Sequence, residues 1–215
     1  MDVSETKKQF QKLMKSQSIH LETPGIEKKI NLKETKFLLD RTEIGFLRLE
    51  YVSSRFSEYG ALFGFYAICL MNGRKIAKIL NQLRLSFPPQ LRLQSYYVKN
   101  SLSEKFCSFG DKQGKISIYE KDDLNQRCSE VISQLNKSYM QKICNFALGS
   151  FDVVEDILET PESYAYPMAS IVIAHCLNGH KSNLKDILHS DKARSLYDGK
   201  GVRLSEIIEK IEQLT

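Results

Sequence analysis

The 215-residue sequence predicts an α+β fold: an N-terminal helix, a mostly antiparallel sheet, and then a helical C-terminal half packed on that sheet. The prediction rests on where the hydrophobic period changes. Apolar residues lie near helical spacing in the first 14 positions, alternate or cluster between residues 37 and 120, and return to helical spacing after Asp122. A hydrophobic content of 42% with a net charge of +5 is typical of a chain that buries a core. This order of elements favours helices on one face of an antiparallel sheet.

The first helix is predicted from Val3, Phe10, Leu13 and Met14, with Ser4 as the expected cap. A Pro-Gly pair at 24–25 then breaks the chain. In the region that follows, Tyr59–Met71 is apolar on both faces, which predicts the central strand, and this strand ends at Asn72-Gly73. The other predicted strands are a short strand ending at Phe37–Leu39, an alternating strand over Gly45–Val52, an irregular strand over Leu91–Val98, and a short strand over Lys115–Glu120.

Helical periodicity identifies the remaining elements. Arg74–Leu85 carries apolar residues at helical spacing and is predicted to be a short, basic amphipathic helix. Asp122 and Asp123 are suited to cap a long amphipathic helix that runs to Gly149. The later predicted helices are Phe151–Leu158, Pro161–Leu177, Asn183–His189 and Val202–Leu214. We therefore expect a helix-plus-sheet region over 1–121 and a helical region over 122–215, packed together as one domain.

The composition also predicts a compartment. Five cysteines are present, their number is odd and no pair has CxxC spacing, so we expect reduced thiols in a cytoplasmic protein. The first twenty residues carry four lysines and no apolar stretch, which argues against a secretory signal peptide. The longest apolar runs are eleven and ten residues, whereas a membrane-spanning helix needs roughly twenty. The sequence therefore predicts no membrane association.

No pattern in the sequence predicts catalytic chemistry. His175, Cys176 and His180 have the residue types of a zinc site, but positions five apart on a helix point in different directions. The chain has no Gly-x-Ser-x-Gly elbow, and neither of its glycine pairs is followed by the Lys-Ser/Thr dipeptide of a phosphate-binding loop. Four acids at 152, 155, 156 and 159 are interpreted as a solvated helix face. We predict no catalytic residues, no bound metal and no cofactor.

Charge is distributed unevenly along the chain. Residues 1–110 hold 18 lysines and arginines against 10 acids, whereas residues 111–215 hold 13 against 16. Most of the positive excess falls in the segment 74–105, which also carries the aromatic residues Tyr96 and Tyr97. Such a segment is typical of a solvated basic rim, of a contact face for a partner, or of a surface that follows a nucleic-acid backbone. The candidate partner-binding residues are Arg74, Lys75, Lys78, Arg84, Arg92 and Lys99.

The order of elements also carries a family resemblance. An N-terminal helix leads into a strand with a Ser-rich end, Tyr51-Val52-Ser53-Ser54-Arg55-Phe56, and then into the aromatic strand Phe63-Gly64-Phe65-Tyr66-Ala67-Ile68. A helical part ending in Val202–Leu214 follows. This pattern, over about residues 5–120, resembles a group of uncharacterised bacterial cytoplasmic proteins, some of which occur beside polymorphic or contact-dependent toxins and resemble their immunity partners. The helical half, about ninety residues, is longer than the group leads us to expect.

The resemblance implies a protein-binding module, namely an immunity protein that neutralises a cognate toxin by occluding its active surface. It supplies no site motif, so no functional residues follow from it. Two alternatives stay open at this point. One is a nucleic-acid-associated protein that uses the basic segment 74–105. The other is a small enzyme whose site is assembled from positions distant in the sequence, for example around His175 or His189.

Overall fold

The computed structural model describes residues 2–53, 58–84, 86, 95–98, 114–164, 166–180, 186 and 204–213. It confirms the predicted α+β class, with an N-terminal helix, an antiparallel sheet and helices in the C-terminal half. The predicted helix Asn183–His189 falls almost entirely outside the described residues. None of the helices in the described part of the chain combines the length and the apolar character that crossing a bilayer requires.

Helix α1 spans Val3–Gln17, as the apolar spacing predicts. Its cap is Asp2 and not Ser4: the Asp2 carboxylate accepts a hydrogen bond from the Ser4 backbone N–H at 2.9 Å. The prediction was wrong because the helix begins two residues earlier than a cap at Ser4 would allow, and a carboxylate also suits the positive end of the helix dipole. Phe10 and Met14 are buried on the inner face of α1.

Six strands form one sheet: β1 (Glu27–Ile30), β2 (Glu34–Leu39), β3 (Thr42–Tyr51), β4 (Phe63–Asn72), β5 (Ser95–Val98) and β6 (Ile116–Ile118). The strand order is β1-β2-β3-β4-β5, and β6 also pairs with β4. The pairs β1–β2, β2–β3 and β4–β6 are antiparallel, with Lys28 opposite Phe37, Thr35 opposite Leu47 and Phe65 opposite Ile116. All predicted strands with described residues are present.

A two-residue turn joins β2 to β3. Asp40 and Arg41 both have left-handed backbone angles, with φ of 49° and 61°. Positive φ at both central positions characterises the turn whose twist matches that of a hairpin. Aspartate adopts this conformation more readily than most residues, whereas arginine does so at some cost. The turn places Leu39 opposite Thr42, and a register shift of one residue between Phe37 and Leu38 then brings Thr35 opposite Leu47.

The chain divides into two compact units, Met1–Leu70 with Val98–Cys144, and Met71–Tyr97 with Asn145–Thr215. In the first unit an aromatic cluster forms the centre of the core. The ring of Phe10 on α1 lies 5.8 Å from that of Phe63 and 5.1 Å from that of Phe65, both on β4. The Tyr51 ring lies 5.6 Å from Phe63. Strand β4 is therefore the central strand, as its apolar sequence predicts.

Helix α2 spans Arg74–Gln82, and the long predicted helix beyond Asp122 consists of α3 (Leu124–Leu135), a π-helical segment (Asn136–Met140) and α4 (Gln141–Leu148). The predicted cap is confirmed, because Asp123 accepts hydrogen bonds from the backbone N–H groups of Asn125 and Gln126 at 2.9 and 3.0 Å. The π segment was not predicted. Apolar residues four apart fit an α-helix and a π-helical turn equally well, so the spacing does not distinguish the two.

Among its described residues, the second unit contains three further helices, α5 (Val153–Glu159), α6 (Pro167–Leu177) and α7 (Leu204–Gln213). The prediction of one helix over Pro161–Leu177 was wrong at its start. A 3-10 turn occupies Pro161–Ser163, and α6 begins at Pro167, where a proline lacks only a hydrogen bond that the first turn does not need. Helix α6 is buried on all sides from Pro167 to His175.

Candidate functional site

Helix α2 has one buried and one exposed side, as its sequence predicts. Ile76 and Leu80 are buried, with exposed fractions of 0% and 4%. Lys75 and Lys78 are exposed. Residues three apart on a helix lie on the same face, so the two ammonium groups extend from one side of α2. The apolar side fixes the helix within its unit, and the basic side remains available to solvent.

Arg84 follows α2 in a constrained piece of backbone. Its φ is 46°, a left-handed value that is uncommon for arginine, and its side chain is exposed. The Lys210 ammonium of α7 donates a hydrogen bond to the Arg84 carbonyl at 2.7 Å. Glu206, also on α7, accepts hydrogen bonds from the Ser86 backbone N–H at 2.8 Å and from its hydroxyl at 2.6 Å. Through Lys210 and Glu206, helix α7 thus holds the backbone of Arg84 and Ser86 in place.

The carboxylate of Glu206 is engaged within its own unit. The hydroxyl and the backbone N–H of Ser86 hold the pKa of Glu206 below its usual value, and Lys210, whose ammonium lies 3.3 Å away, adds to this effect. A carboxylate with three hydrogen-bonding or ionic neighbours has little capacity left for a further cation. Within the described part of the chain, Lys75, Lys78 and Arg84 form no ion pair.

Six cations were predicted to bind a partner, and the structure describes four of them. Lys75, Lys78 and Arg84 are exposed, and we call these three residues the basic surface. Arg74 is half-buried and interacts within the chain. Arg92 and Lys99 lie outside the described residues, so their prediction stays a prediction.

Gly73 determines where α2 begins. The chain leaves β4 at Asn72 and enters the helix at Arg74. A Cβ atom added at Gly73 would lie 2.8 Å from Cζ of Phe146, whose side chain is fully buried and packs edge-on against Tyr164. Only glycine permits the backbone to approach this ring so closely. The Asn72-Gly73 dipeptide predicts the end of the strand, but the packing that requires the glycine is visible only in the folded chain.

His175 of α6 and His180, which follows the end of that helix, form a small aromatic cluster with Phe151. The His175 side chain is fully buried, and its Nδ1 lies 3.1 Å from the carbonyl oxygen of His180. A carbonyl only accepts, so Nδ1 carries the proton, and Nε2 has no hydrogen-bond partner in the part of the chain that the structure describes. Phe151 packs on both imidazoles, with ring centroids 5.0 Å from His175 and 4.3 Å from His180. Burial lowers the pKa of His175.

These contacts are those of a core histidine at the end of a helix. The helix ends at Leu177, between the two histidines, as the Asn-Gly dipeptide predicts, and Gly179 has a φ of 74°. Among the described residues, no three His, Cys, Asp or Glu side chains are grouped so that they could hold a metal ion. His189 and Cys107 lie outside those residues. None of the four described cysteines forms a disulfide.

The acidic residues of α5 behave largely as a solvated face. Asp152, Glu155 and Glu159 are exposed. Asp156 is half-buried, and its carboxylate accepts a hydrogen bond from the side chain of the buried Asn145 at 3.3 Å. This carboxylate therefore has a structural contact that helical spacing alone did not indicate.

A cleft in the first unit was not anticipated by the sequence analysis. It is small, with a volume of about 30 Å³, and lies between the C-terminal half of α1, the turn that joins β1 to β2, and strand β3. Met14 and Leu47, both buried, form part of its wall, and Lys15 and Lys33 lie at its edge. The one available signal in the sequence was the turn Asn31-Leu32-Lys33, where an apolar residue occupies a position that is ordinarily polar.

Comparison with protein-family models, curated proteins and solved structures found no match to this chain.

Proposed function

We propose that this protein is a protein-binding module, an immunity protein that neutralises a cognate bacterial toxin by occluding its active surface, in the cytoplasm. The single observation that supports the proposal is the basic surface. Lys75 and Lys78 are exposed on a helix whose other side is anchored by buried leucine and isoleucine, and Arg84 is exposed just after this helix. A rigid element that presents unpaired cations suits recognition of an acidic patch on a folded partner.

The sign of the charge narrows the class of toxin. A protein that blocks a nuclease by mimicking its substrate presents acids, because nucleic acid is an anion. This chain carries a net charge of +5, and its exposed α2 face is basic. The proposal therefore favours a toxin with an acidic surface, or a toxin that is not a nuclease.

The biological test is co-expression with the product of the neighbouring gene. We expect that product to be toxic alone, to lose its toxicity when this chain is present, and to co-purify with it. If the neighbouring product neither kills cells nor co-purifies with this chain, the proposal is wrong.

The surface is tested by charge reversal. The triple variant Lys75→Glu, Lys78→Glu and Arg84→Glu should bind the partner about ten- to a hundredfold more weakly, since exposed ion pairs contribute about 0.2–1 kcal/mol each and 1.4 kcal/mol corresponds to tenfold. The wild-type affinity should also fall as the salt concentration rises. Isothermal titration calorimetry measures both effects.

A matched control is available in the first unit. Lys8, Lys12 and Lys29 are also exposed, and reversing all three changes the net charge by the same amount. We expect this control to retain the wild-type affinity within about twofold, because it alters long-range charge without touching the basic surface. Equal losses in the two triple variants would show that net charge, and not the basic surface, determines binding.

The nucleic-acid alternative predicts a different binding result for the wild type and the two triple variants. Fluorescence anisotropy with single- and double-stranded oligonucleotides at low salt should detect no binding if the protein recognises a protein partner. Salt-sensitive oligonucleotide binding that the basic-surface variant loses and the control keeps would favour the alternative.

A further inference from the structure

Helix α6 ends in a turn that two backbone hydrogen bonds close. The Gly179 N–H donates to the Cys176 carbonyl at 3.3 Å, and the His180 N–H donates to the His175 carbonyl at 2.9 Å. With Gly179 at a φ of 74°, this pair of bonds is the Schellman motif that ends many helices. The end of α6 therefore has a defined closed state, and opening it breaks both bonds.

The side chain of His175 closes the same turn in the reverse direction. Its Nδ1–H donates to the His180 carbonyl at 3.1 Å, so residues 175 and 180 are joined twice. The Phe151 ring contacts both imidazoles, with centroids at 5.0 and 4.3 Å. Residues 177–180 are exposed, whereas α6 is buried from Pro167 to His175. Opening the turn therefore brings the His175 imidazole to solvent without displacing the buried body of the helix.

A second proton on His175 conflicts with the closed turn. Since Nδ1 already carries a proton, the second one adds to Nε2. This nitrogen is buried and has no hydrogen-bond partner among the described residues, and an unpaired charge is costly to bury. The C-terminal end of a helix usually favours a cation, but the carbonyls of Ala174, His175 and Cys176 already accept backbone hydrogen bonds. Burial lowers the pKa of His175 and outweighs the opposite effect of the His180 carbonyl.

The charged neighbours do not relieve this conflict. Helices α2, α5 and α7 pack on α6. Together with the residue before α5, their charged residues with described side chains are Arg74, Lys75, Lys78, Asp152, Glu155, Asp156, Glu159, Glu206, Glu209 and Lys210. A Cβ at Gly149 would lie 3.0 Å from Cδ1 of Leu177 and 3.4 Å from Cβ of Lys75, which places Lys75 near the end of α6. The titratable group that acts on the pKa of His175 is His180, and it lowers that pKa. Both of these basic neighbours disfavour a further positive charge.

We propose that the C-terminal turn of α6 is acid-sensitive: protonation of His175 at Nε2 opens residues 177–180 while the buried body of α6 stays folded. The proton comes from solvent, and the Nδ1–H exchanges its bond to the His180 carbonyl for a bond to water. Opening also exposes the Phe151 ring. The proposal does not rest on the proposed function, because no partner takes part in it.

The size of the effect follows from the titration of a solvated imidazole. With a pKa of about 6.5, such a ring is about 10% protonated at pH 7.5 and about 90% protonated at pH 5.5. A closed turn that excludes the second proton therefore loses up to about tenfold against the open turn between these pH values. Local opening of this kind is measured by amide hydrogen exchange.

The test is NMR of the ¹⁵N-labelled full chain at pH 7.5 and 5.5. At pH 7.5 the imidazole ¹⁵N shifts of His175 should be those of a neutral ring protonated at Nδ1. At pH 5.5 the protection factors of the Gly179 and His180 amides, corrected for the intrinsic exchange rate, should be several-fold to about tenfold lower. The amides of residues 171–174 should stay at least about tenfold better protected than these two at both pH values, because the body of the helix does not open with the turn.

Three variants assign the effect. His175→Asn removes the titrating ring, so protection of the Gly179 and His180 amides should change by less than about twofold between the two pH values. His180→Asn keeps the backbone carbonyl that accepts the Nδ1 proton and should retain most of the fall. The matched control is His20→Asn, which removes an exposed histidine of the first unit and should behave as the wild type does.

Four results would overturn the proposal. Two of them come from the wild type alone and hold even if a variant does not fold: protection of Gly179 and His180 that is independent of pH, or equal protection throughout α6 at pH 5.5, which would show that the unit unfolds as a whole. The other two are a fall that persists in His175→Asn and a fall that His180→Asn abolishes, since the latter would assign the titration to His180.

Discussion

Replacing Gly73 with alanine probes the contact that positions α2. The φ of Gly73 is −75°, a value that alanine adopts without strain, so backbone conformation does not require glycine here. In an open position this substitution would stabilise the protein by about 0.4–1 kcal/mol, because alanine has fewer unfolded conformations. At Gly73 we expect a loss of stability instead, because the added methyl group would clash with the ring of Phe146.

The size of the effect follows from three distances. A Cβ at residue 73 would lie 2.8, 3.0 and 3.2 Å from three ring carbons of Phe146, whereas carbon atoms in contact prefer roughly 3.5–4.0 Å. The ring has no free space to enter, since it is fully buried and its centroid lies 5.2 Å from that of Tyr164. Overpacking of this kind costs about 1–3 kcal/mol. We therefore expect Gly73→Ala to destabilise the protein by about 1–2 kcal/mol after the entropy gain.

Urea unfolding followed by circular dichroism measures this loss, and a double-mutant cycle identifies its cause. Phe146→Leu replaces the ring with a smaller side chain, so Gly73→Ala should cost less than half as much in that background as in the wild type. A Gly73→Ala protein that is more stable than the wild type would refute the reasoning. So would a cost that is the same in both backgrounds.

Three further predictions concern stability and reactivity. Since burial lowers the pKa of His175, the unfolded chain takes up a proton near pH 6.5 that the folded chain does not. The free energy of unfolding should therefore fall as the pH drops below about 6.5. Urea unfolding at pH 7.5 and 5.5 measures this fall, which should be smaller in His175→Asn. A fall of equal size in the variant would contradict the assignment. Asp123→Ala should cost about 0.5–2 kcal/mol of unfolding free energy, whereas Asp123→Asn, which keeps the cap, should cost less; equal costs would exclude the cap as the cause. The buried thiols of Cys69, Cys128 and Cys144 should react with a thiol reagent only on unfolding, as burial raises the pKa of each, and rapid labelling of any of them in the native protein would show otherwise.

The fold class could be predicted because the hydrophobic period changes twice along the chain. Strand β4 is apolar on both faces, and only a central strand tolerates that composition. Helix α2 alternates cations with apolar residues at helical spacing, and the same spacing places its lysines on the exposed side. Both inferences use properties that a short window of sequence contains.

The details that were predicted wrongly depend on which of several suitable residues the folded chain uses. A short window of sequence does not determine this. Asp2 and Ser4 are both good caps, and which of them is used depends on where α1 starts. The residues Leu135, Tyr139 and Ile143 are spaced by four, which a π-helical segment accommodates as well as an α-helix. Pro161 and Pro167 are both acceptable first residues of a helix, and the chain begins α6 at the second.

The basic surface and the cleft of the first unit differ in how visible they are to sequence reasoning, and the difference has a physical cause. The cations of the basic surface lie within ten residues of one another, so their shared face follows from the geometry of one helix and the turn after it. The cations of the cleft, Lys15 and Lys33, come from a helix and from a hairpin turn, and only the packing of α1 beside β3 brings them to one rim. In the sequence, both sets of cations are visible only as positive charge. Only the tertiary structure shows that Lys15 and Lys33 lie at the edge of one cleft. Features of the second kind depend on three-dimensional contacts, because no short window of sequence contains both of the elements that form them.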